Sequence, residues 1–293
     1  MLRKKIKNLV NAFTESTLIY YINLLSKTIT PSIKRNKSVV LYAVFGRFYI
    51  LMAILSALSA IENGYSGEII IYVTEETDID HSLSIICSNF GINIHKISSN
   101  TVQNFKKNSF KLFAINHFIL NNSKFNGCLL YLDSDSLIQK NLNYIFDVID
   151  TAPLCLTHSS FPELRYKKLI GEIEHFGKKF EYDITTPKYI PLLNGGIIGI
   201  NFNYTINKKI FREINSDYIS CDYVDDQAYI RKIVYENNIY PLYLDARVNK
   251  LKGRKDKDIV FRHFAGKGRI DLIPHLLIMS IKLYFSRIAS KFQ

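Results

Sequence analysis

The chain has 293 residues, with 38 Lys and Arg against 26 Asp and Glu and a net charge of +12. With 47% hydrophobic and 22% charged residues, 7 prolines and 13 glycines, its composition excludes a disordered or fibrous chain. No charge-free apolar run reaches the roughly 18 residues of a membrane span, no signal-peptide pattern opens the chain, and the four cysteines form no CxxC or metal-finger spacing.

Cys87, Cys128, Cys155 and Cys221 are therefore expected to be buried thiols in a reducing, cytoplasmic setting. The positive balance favours an anionic partner: nucleotide phosphate, a phospholipid surface or nucleic acid. The cations cluster at residues 3–7, 34–37 and 250–257, and no nucleic-acid-binding motif accompanies them. Nucleic acid is not expected as a partner.

In chain order, Leu2, Ile6, Leu9, Val10 and Phe13 recur at helical spacing behind a basic start. Pro31 and the Lys34–Lys37 cluster mark a boundary. Val39 to Phe45 is a short apolar run rich in β-formers and reads as a buried strand. Gly46 breaks it, and Tyr49 to Ile61 reads as a helix ending near Gly64. Glu68 to Val73 and Ile92 to Ile97 are further strands. This βαβ opening implies a parallel sheet with crossover helices. Phe110 to Leu120 reads as a helix and Cys128 to Leu132 as another buried strand. Residues 151–193 show weak periodicity and are expected to form an inserted, partly helical segment. Ile197 to Ile200 reads as a strand introduced by a turn at Asn194-Gly195-Gly196. Asp225 to Tyr235 reads as a helix, and Tyr240 to Leu244 and Ile259 to Arg262 as late strands.

Four constellations carry chemistry. The strand Leu129-Leu130-Tyr131-Leu132 delivers Asp133 and Asp135 to its C-terminal end. In open α/β sheets the ligand crevice lies outside those strand ends. Two carboxylates there suit a hard divalent cation, Mg²⁺ or Mn²⁺; alone, the pair also fits a solvated acidic turn. Asn194-Gly195-Gly196 lets a ligand approach the backbone closely, and the Asn amide both donates to and accepts from hydroxyls. Asp225-Asp226-Gln227 places more polar groups at a helix start than a cap requires. His263-Phe264-Ala265-Gly266-Lys267-Gly268-Arg269 combines an imidazole, two glycines and two cations suited to phosphate and metal.

In that order the four resemble the glycosyltransferase A fold, and most nearly glycosyltransferase family 8. That family carries an apolar strand ending in D-x-D, an N-[SG]-G turn before a strand, D-Q on a helix, and a late H-x-x-G-x-x-K. The counterparts are Asp133/Asp135, Asn194/Gly196, Asp226/Gln227, and His263/Gly266 with Arg269 at the family lysine. The resemblance covers roughly residues 38–270. It implies an α/β fold: a mixed, mostly parallel Rossmann-like sheet of the glycosyltransferase A type with helices on both faces. It implies a metal-dependent transferase moving a sugar, with retention, from a nucleotide-diphosphate donor to a glycan or glycolipid acceptor. A UDP-sugar is the first donor expected. Asp133, Asp135 and His263 are then the expected ligands of Mn²⁺ or Mg²⁺. Lys267 and Arg269 would neutralise the leaving phosphate. Asn194, Gly195, Gly196 and Asp226 would hold hydroxyls, and Gln227 would stabilise the reacting sugar. Asn116 falls about where the family carries an arginine that reaches the diphosphate, and Arg47 is expected to supply that cation.

This reading divides the chain into a basic helical extension (1–37), a catalytic domain (38–270) and an amphipathic basic C-terminal helix (271–293). On the last, Ile281, Tyr284, Phe285, Ile288 and Phe292 share one helical face flanked by Lys282, Arg287 and Lys291. Such a helix suits the inner face of an anionic membrane. Three alternatives stay open. Asp225 acting as a base would make the enzyme inverting. A degenerate transferase fold could serve only to bind membrane or nucleic acid. A phosphatase of the haloacid dehalogenase type also uses D-x-D after a strand, though normally its first.

Overall fold

The computed structural model describes residues 2–29, 37–98, 100, 110–158, 193–214, 226–244, 249–251 and 260–264. In chain order these form α1 (Leu2–Ser26), β1 (Ser38–Val44), α2 (Arg47–Glu62), β2 (Glu68–Thr74), α3 (His81–Asn89) and β3 (Ile92–Ile97). Then come α4 (Phe110–Asn121), β4 (Cys128–Leu132), β5 (Ser136–Ile138), α5 (Asn143–Asp150), β6 (Leu154–His158) and β7 (Leu193–Asn201). The last are α6 (Thr205–Arg212), α7 (Asp226–Glu236), β8 (Leu242–Leu244), β9 (Asn249–Leu251) and β10 (Phe261–His263).

Seven strands form one sheet in the order β3-β2-β1-β4-β7-β6-β8. β1 pairs in parallel with both β2 and β4, and β2 with β3. β7 runs against both β4 and β6, and β8 runs parallel to β6. Only β7 is reversed, so the sheet is mixed and mostly parallel. The order turns back between β1 and β4, which makes their C-terminal ends the switch point where open α/β sheets bind ligands.

Side chains on each strand alternate between two cores. Val40, Tyr42, Ile69, Ile71, Leu130 and Leu132 pack with α1, α2, α3 and α5 on one face. Val39, Leu41, Ile70, Tyr72, Leu129 and Tyr131 pack with α4, α6 and α7 on the other. Helices therefore cover both faces, as the sequence implied. Each such side chain contributes about 1.5–3 kcal/mol when fully buried. α2 is buried without interruption from Ile50 to Ala60, because it lies between the sheet and α1. The helix expected over the basic N-terminal stretch is present. Its second half is built into this layer through Leu18, Tyr21, Ile22 and Leu25.

Two expectations need correction. The stretch 151–193 contains a sheet strand: Leu154-Cys155-Leu156-Thr157 sits in β6 between β7 and β8, and residues 159–192 lie outside the described ones. Asn194-Gly195-Gly196 is not a turn before a strand either; it lies inside β7. The β6–β7 register jumps there, from Leu156 opposite Ile198 to Thr157 opposite Asn194, so the glycines form a bulge. Bulges bend a strand and re-aim its groups beside functional sites.

A second, three-stranded sheet, β5-β10-β9, follows directly after the D-x-D. The C-terminal segment 271–293 lies outside the described residues. Among those described, no helix is long and apolar enough to cross a membrane. Cys87, Cys128 and Cys155 are buried free thiols that burial pushes up to about 12, which makes them inert as nucleophiles. Cys221 lies outside the described residues.

Candidate active site

The two carboxylates of the D-x-D leave the sheet at the C-terminal end of β4. The Asp133 amide continues the ladder by donating to the Gly196 carbonyl at 2.8 Å. The chain then turns, and Asp135 is only 5% exposed. Its carbonyl accepts from the Phe264 amide at 2.8 Å, and Ser136 stands opposite His263 in the β5–β10 pair. Backbone register thus brings His263 beside the D-x-D, while its side chain lies outside the described residues. Asp225, Lys267 and Arg269 lie outside them as well.

The β7 bulge faces this turn. Asn194 Oδ1 accepts from the Gly196 amide at 2.8 Å, which holds the bulge closed. Gly195 is required by packing: a Cβ there would lie 2.8 Å from Asp226 Oδ2, 3.0 Å from Gln227 Cγ and 3.3 Å from Lys111 Nζ. Bare backbone at 195 lets the first turn of α7 close onto β7. Tyr229, Ile230, Ile233 and Val234 anchor that helix in the core. Asp226, in the first turn, meets the positive end of the helix dipole. Gln227 Oε1 is buried and has no hydrogen-bond partner among the described residues.

One residue joins these pieces, and the sequence reading missed it. Lys111, in the first turn of α4, donates to the Gly195 carbonyl at 2.8 Å and to Asp133 Oδ1 at 3.2 Å, and it pairs with Asp226. Its ammonium also lies 5.1 Å from the centre of the Tyr131 ring. The Tyr131 hydroxyl donates to Asp133 Oδ1 at 3.1 Å. Burial opposes the Lys111 charge, but Asp133 and Asp226 outweigh it and hold the ammonium well above its usual range. Burial, together with Asp133, likewise raises the Tyr131 hydroxyl well above its ordinary value.

Asn116 does not take part. Its amide donates to the carbonyls of Phe211 and Arg212, capping the end of α6. The reason is direction. A helix preceding a parallel strand runs against it, so the start of α4 lies at the C-terminal end of β4. Asn116 sits five residues further on, about 7.5 Å down the axis. The available signal was a lone cation inside Phe-Lys-Leu-Phe-Ala-Ile, an otherwise apolar helix.

Arg47 is not brought to the D-x-D by any of its pairings. It follows Gly46, whose φ of 80° turns the chain out of β1 into α2. Its guanidinium pairs with Asp80 at 2.8 Å, Asp78 at 3.2 Å and Glu15 at 3.8 Å, tying α2 to α1 and to the loop before α3.

Asp133 and Asp135 offer carboxylate oxygens, the donor type a hard divalent cation takes, and the expected third ligand, His263, would add an imidazole nitrogen. Among the described residues no three His, Cys, Asp or Glu side chains cluster closely enough to form a complete metal site.

No protein-family model and no curated protein matches the chain. Solved structures do. The apo form of mouse xyloside xylosyltransferase 1 is 12% identical over 78% of this chain and 98% of its own, with a TM-score of 0.51. The apo bifunctional glycosyltransferase WbbM is 13% identical over 81% of this chain, with a TM-score of 0.50; the match spans 47% of that protein. The galactosyltransferase LgtC, in complex with donor and acceptor sugar analogues, is 17% identical over 78% of this chain and 87% of its own, at 0.47. The likeness to the first two is one of fold. Together with a sheet ordered 3-2-1-4 and a reversed fifth strand, it gives the chain the fold of the glycosyltransferase A type.

Proposed function

We propose that the chain is a metal-dependent glycosyltransferase that moves a sugar from a nucleotide-diphosphate donor to a glycan or glycolipid acceptor. The observation that carries this reading is convergence at the switch point. The Asp133 carboxylate at the end of β4, a glycine bulge on β7 and the Asp226-Gln227 turn of α7 meet there, with Asp135 two residues on, in a fold shared with sugar transferases. Asp133 and Asp135, joined by His263, would hold the cation. A bound divalent cation supplies charge that stabilises the departing nucleotide diphosphate. Lys267 and Arg269 would neutralise the same phosphate.

Gln227 offers a buried carbonyl without a partner among the described residues, which suits a sugar hydroxyl or the developing positive charge at the sugar. Retention is the course the family resemblance implies; Lys111 neutralises Asp226, so an inverting course would need Asp225, outside the described residues, as its base. The net charge of +12 and the basic amphipathic C-terminal sequence favour an acceptor carried on a membrane lipid.

A panel of nucleotide sugars tested for Mn²⁺-dependent hydrolysis and thermal shift decides the reading. One donor should raise the melting temperature only with metal. Asp135→Asn should abolish both the shift and turnover, since removing a charged ligand costs several kcal/mol of transition-state stabilisation. Metal-independent behaviour across the panel would remove the proposal.

A further inference from the structure

Lys111 has the ingredients of a phosphate-binding cation, yet its contacts point elsewhere. An ammonium has three donors and no acceptor. Here three acceptors surround it: Asp133 Oδ1, the Gly195 carbonyl and Asp226. They come from three different elements, β4, the β7 bulge and the first turn of α7. The side chain is 11% exposed and that of Asp226 only 7%. A cation so enclosed has no donor left for a ligand.

Its position explains what it does instead. Without Lys111, Asp133 and Asp226 would be two partly buried like charges on adjoining elements, and they would push apart. With it, the first turn of α7 is drawn onto the backbone at Gly195, where a methyl group would already collide with Asp226 and Gln227. Gln227 follows Asp226 directly, so the aim of its carbonyl, which has no partner among the described residues, depends on that docking.

We propose that Lys111 is a positioning residue for recognition of the donor's sugar. It locks Asp226 onto the Gly195 backbone, fixing where the Gln227 amide points, and it does not contact the diphosphate. The inference rests on the transferase reading above, and its test separates the two.

The experiment compares the affinity of Mn²⁺–UDP with that of Mn²⁺–UDP-glucose and Mn²⁺–UDP-galactose, by calorimetry on the full chain. The difference between UDP and the better UDP-sugar measures recognition of the sugar alone. In Lys111→Met, UDP affinity should stay within about threefold or tighten, because one positive charge has left the metal's surroundings. The sugar-dependent gain should fall to about one. Gly195→Ala keeps every charge but pushes a methyl group into the same joint, and it should show the same pattern; it also serves if Lys111→Met does not fold. Asp226→Asn combined with Lys111→Met should lose no more than either change alone, since both break one lock.

Loss of tenfold or more in UDP affinity itself on Lys111→Met would make Lys111 a diphosphate clamp and overturn the proposal. An unchanged sugar-dependent gain in both Lys111→Met and Gly195→Ala would overturn it as well. If the unaltered chain binds neither Mn²⁺–UDP nor either sugar nucleotide, the UDP-sugar form of the transferase reading falls, and this inference with it.

Discussion

Two cations on this sheet edge each gather acidic partners, and they do so in different surroundings. Lys111 sits at the start of α4 with Asp133 and Asp226, almost sealed from water. Arg47 sits at the start of α2 with Glu15, Asp78 and Asp80; its side chain is 30% exposed and that of Asp78 81%. The chemistry is alike and the dielectric is not. In water an ion pair gives little, because solvent already serves both charges. Out of water each charge depends on its partner, and losing one strands the other. Burial, more than the number of partners, separates a strut from a surface contact.

The comparison breaks most visibly at Lys111. Lys111→Met takes the cation from between Asp133 and Asp226, and it is expected to cost about 3–5 kcal/mol of stability. Urea unfolding would show this as a lowered midpoint with an unchanged slope. A midpoint close to that of the unaltered chain would mean the ammonium contributes nothing to the fold, and the buried-strut account would fail.

Asn116 sharpens the contrast within a single helix. It lies on α4 with Lys111 but faces α6, where it caps the carbonyls of Phe211 and Arg212. Asn116→Ala should cost about 1–2 kcal/mol, the worth of two ordinary hydrogen bonds. Mn²⁺–nucleotide binding should not change. A stability loss accompanied by weaker nucleotide binding would put Asn116 back in the site and undo the directional argument.

That argument also shows what the sequence disclosed. The apolar runs at Val39–Phe45, Glu68–Val73, Ile92–Ile97 and Cys128–Leu132 are legible because a parallel strand buried on both faces reads as a continuous hydrophobic block. β1 to β4 stand there. β6 was hidden, since Leu154-Cys155-Leu156-Thr157 is short and lies within a stretch of weak periodicity. The D-x-D and D-Q residues were legible as motifs. The Asn194-Gly195-Gly196 bulge was read as a turn, because a register jump exists only between two strands. Lys111 was missed for a related reason. Its partners lie 22, 84 and about 115 residues away, and no local pattern announces them. Arg47 was read as a diphosphate cation without its pairs, because Asp78 and Asp80 lie 31 and 33 residues on and no local pattern shows that they reach it.

Arg47 supplies the smaller half of the comparison. Arg47→Met removes three pairs that are half in water, and the expected loss is about 1 kcal/mol. Salt tests the cause: near 1 M ionic strength the Debye length falls to about 3 Å, and the loss should shrink toward zero. The Lys111→Met loss should hardly respond, since counterions do not enter a buried pair. If salt relieved both variants equally, burial would not be the distinguishing feature.

The smallest effect is one of pH, and the two clusters should fail at opposite ends. Asp80 loses solvation on folding, but Ser82, the Leu83 amide and Arg47 together hold its carboxyl below the usual value of 3.8. A carboxyl lowered in the folded state adds stability above its unfolded pKa and loses it as pH falls through the folded one. The Arg47 cluster should therefore weaken only below about pH 4. Lys111 is raised above 10.5. A raised ammonium adds stability below its unfolded pKa and loses it as pH climbs toward the folded value, so the Lys111 contribution is lost on the basic side only in strong alkali. Between pH 5 and 9 neither Asp80 nor Lys111 titrates. Urea midpoints for the unaltered chain, Arg47→Met and Lys111→Met would then run parallel across that range. Below about pH 4 the Arg47→Met curve should converge on the unaltered one, because protonated Asp80 no longer rewards the arginine. In strong alkali the Lys111→Met curve should converge on the unaltered one in turn, because the neutral amine no longer serves the two aspartates. If the Arg47→Met curve stayed parallel down to pH 3, the guanidinium would contribute nothing to Asp80 ionisation, and the surface half of the comparison would reduce to packing by the arginine stem.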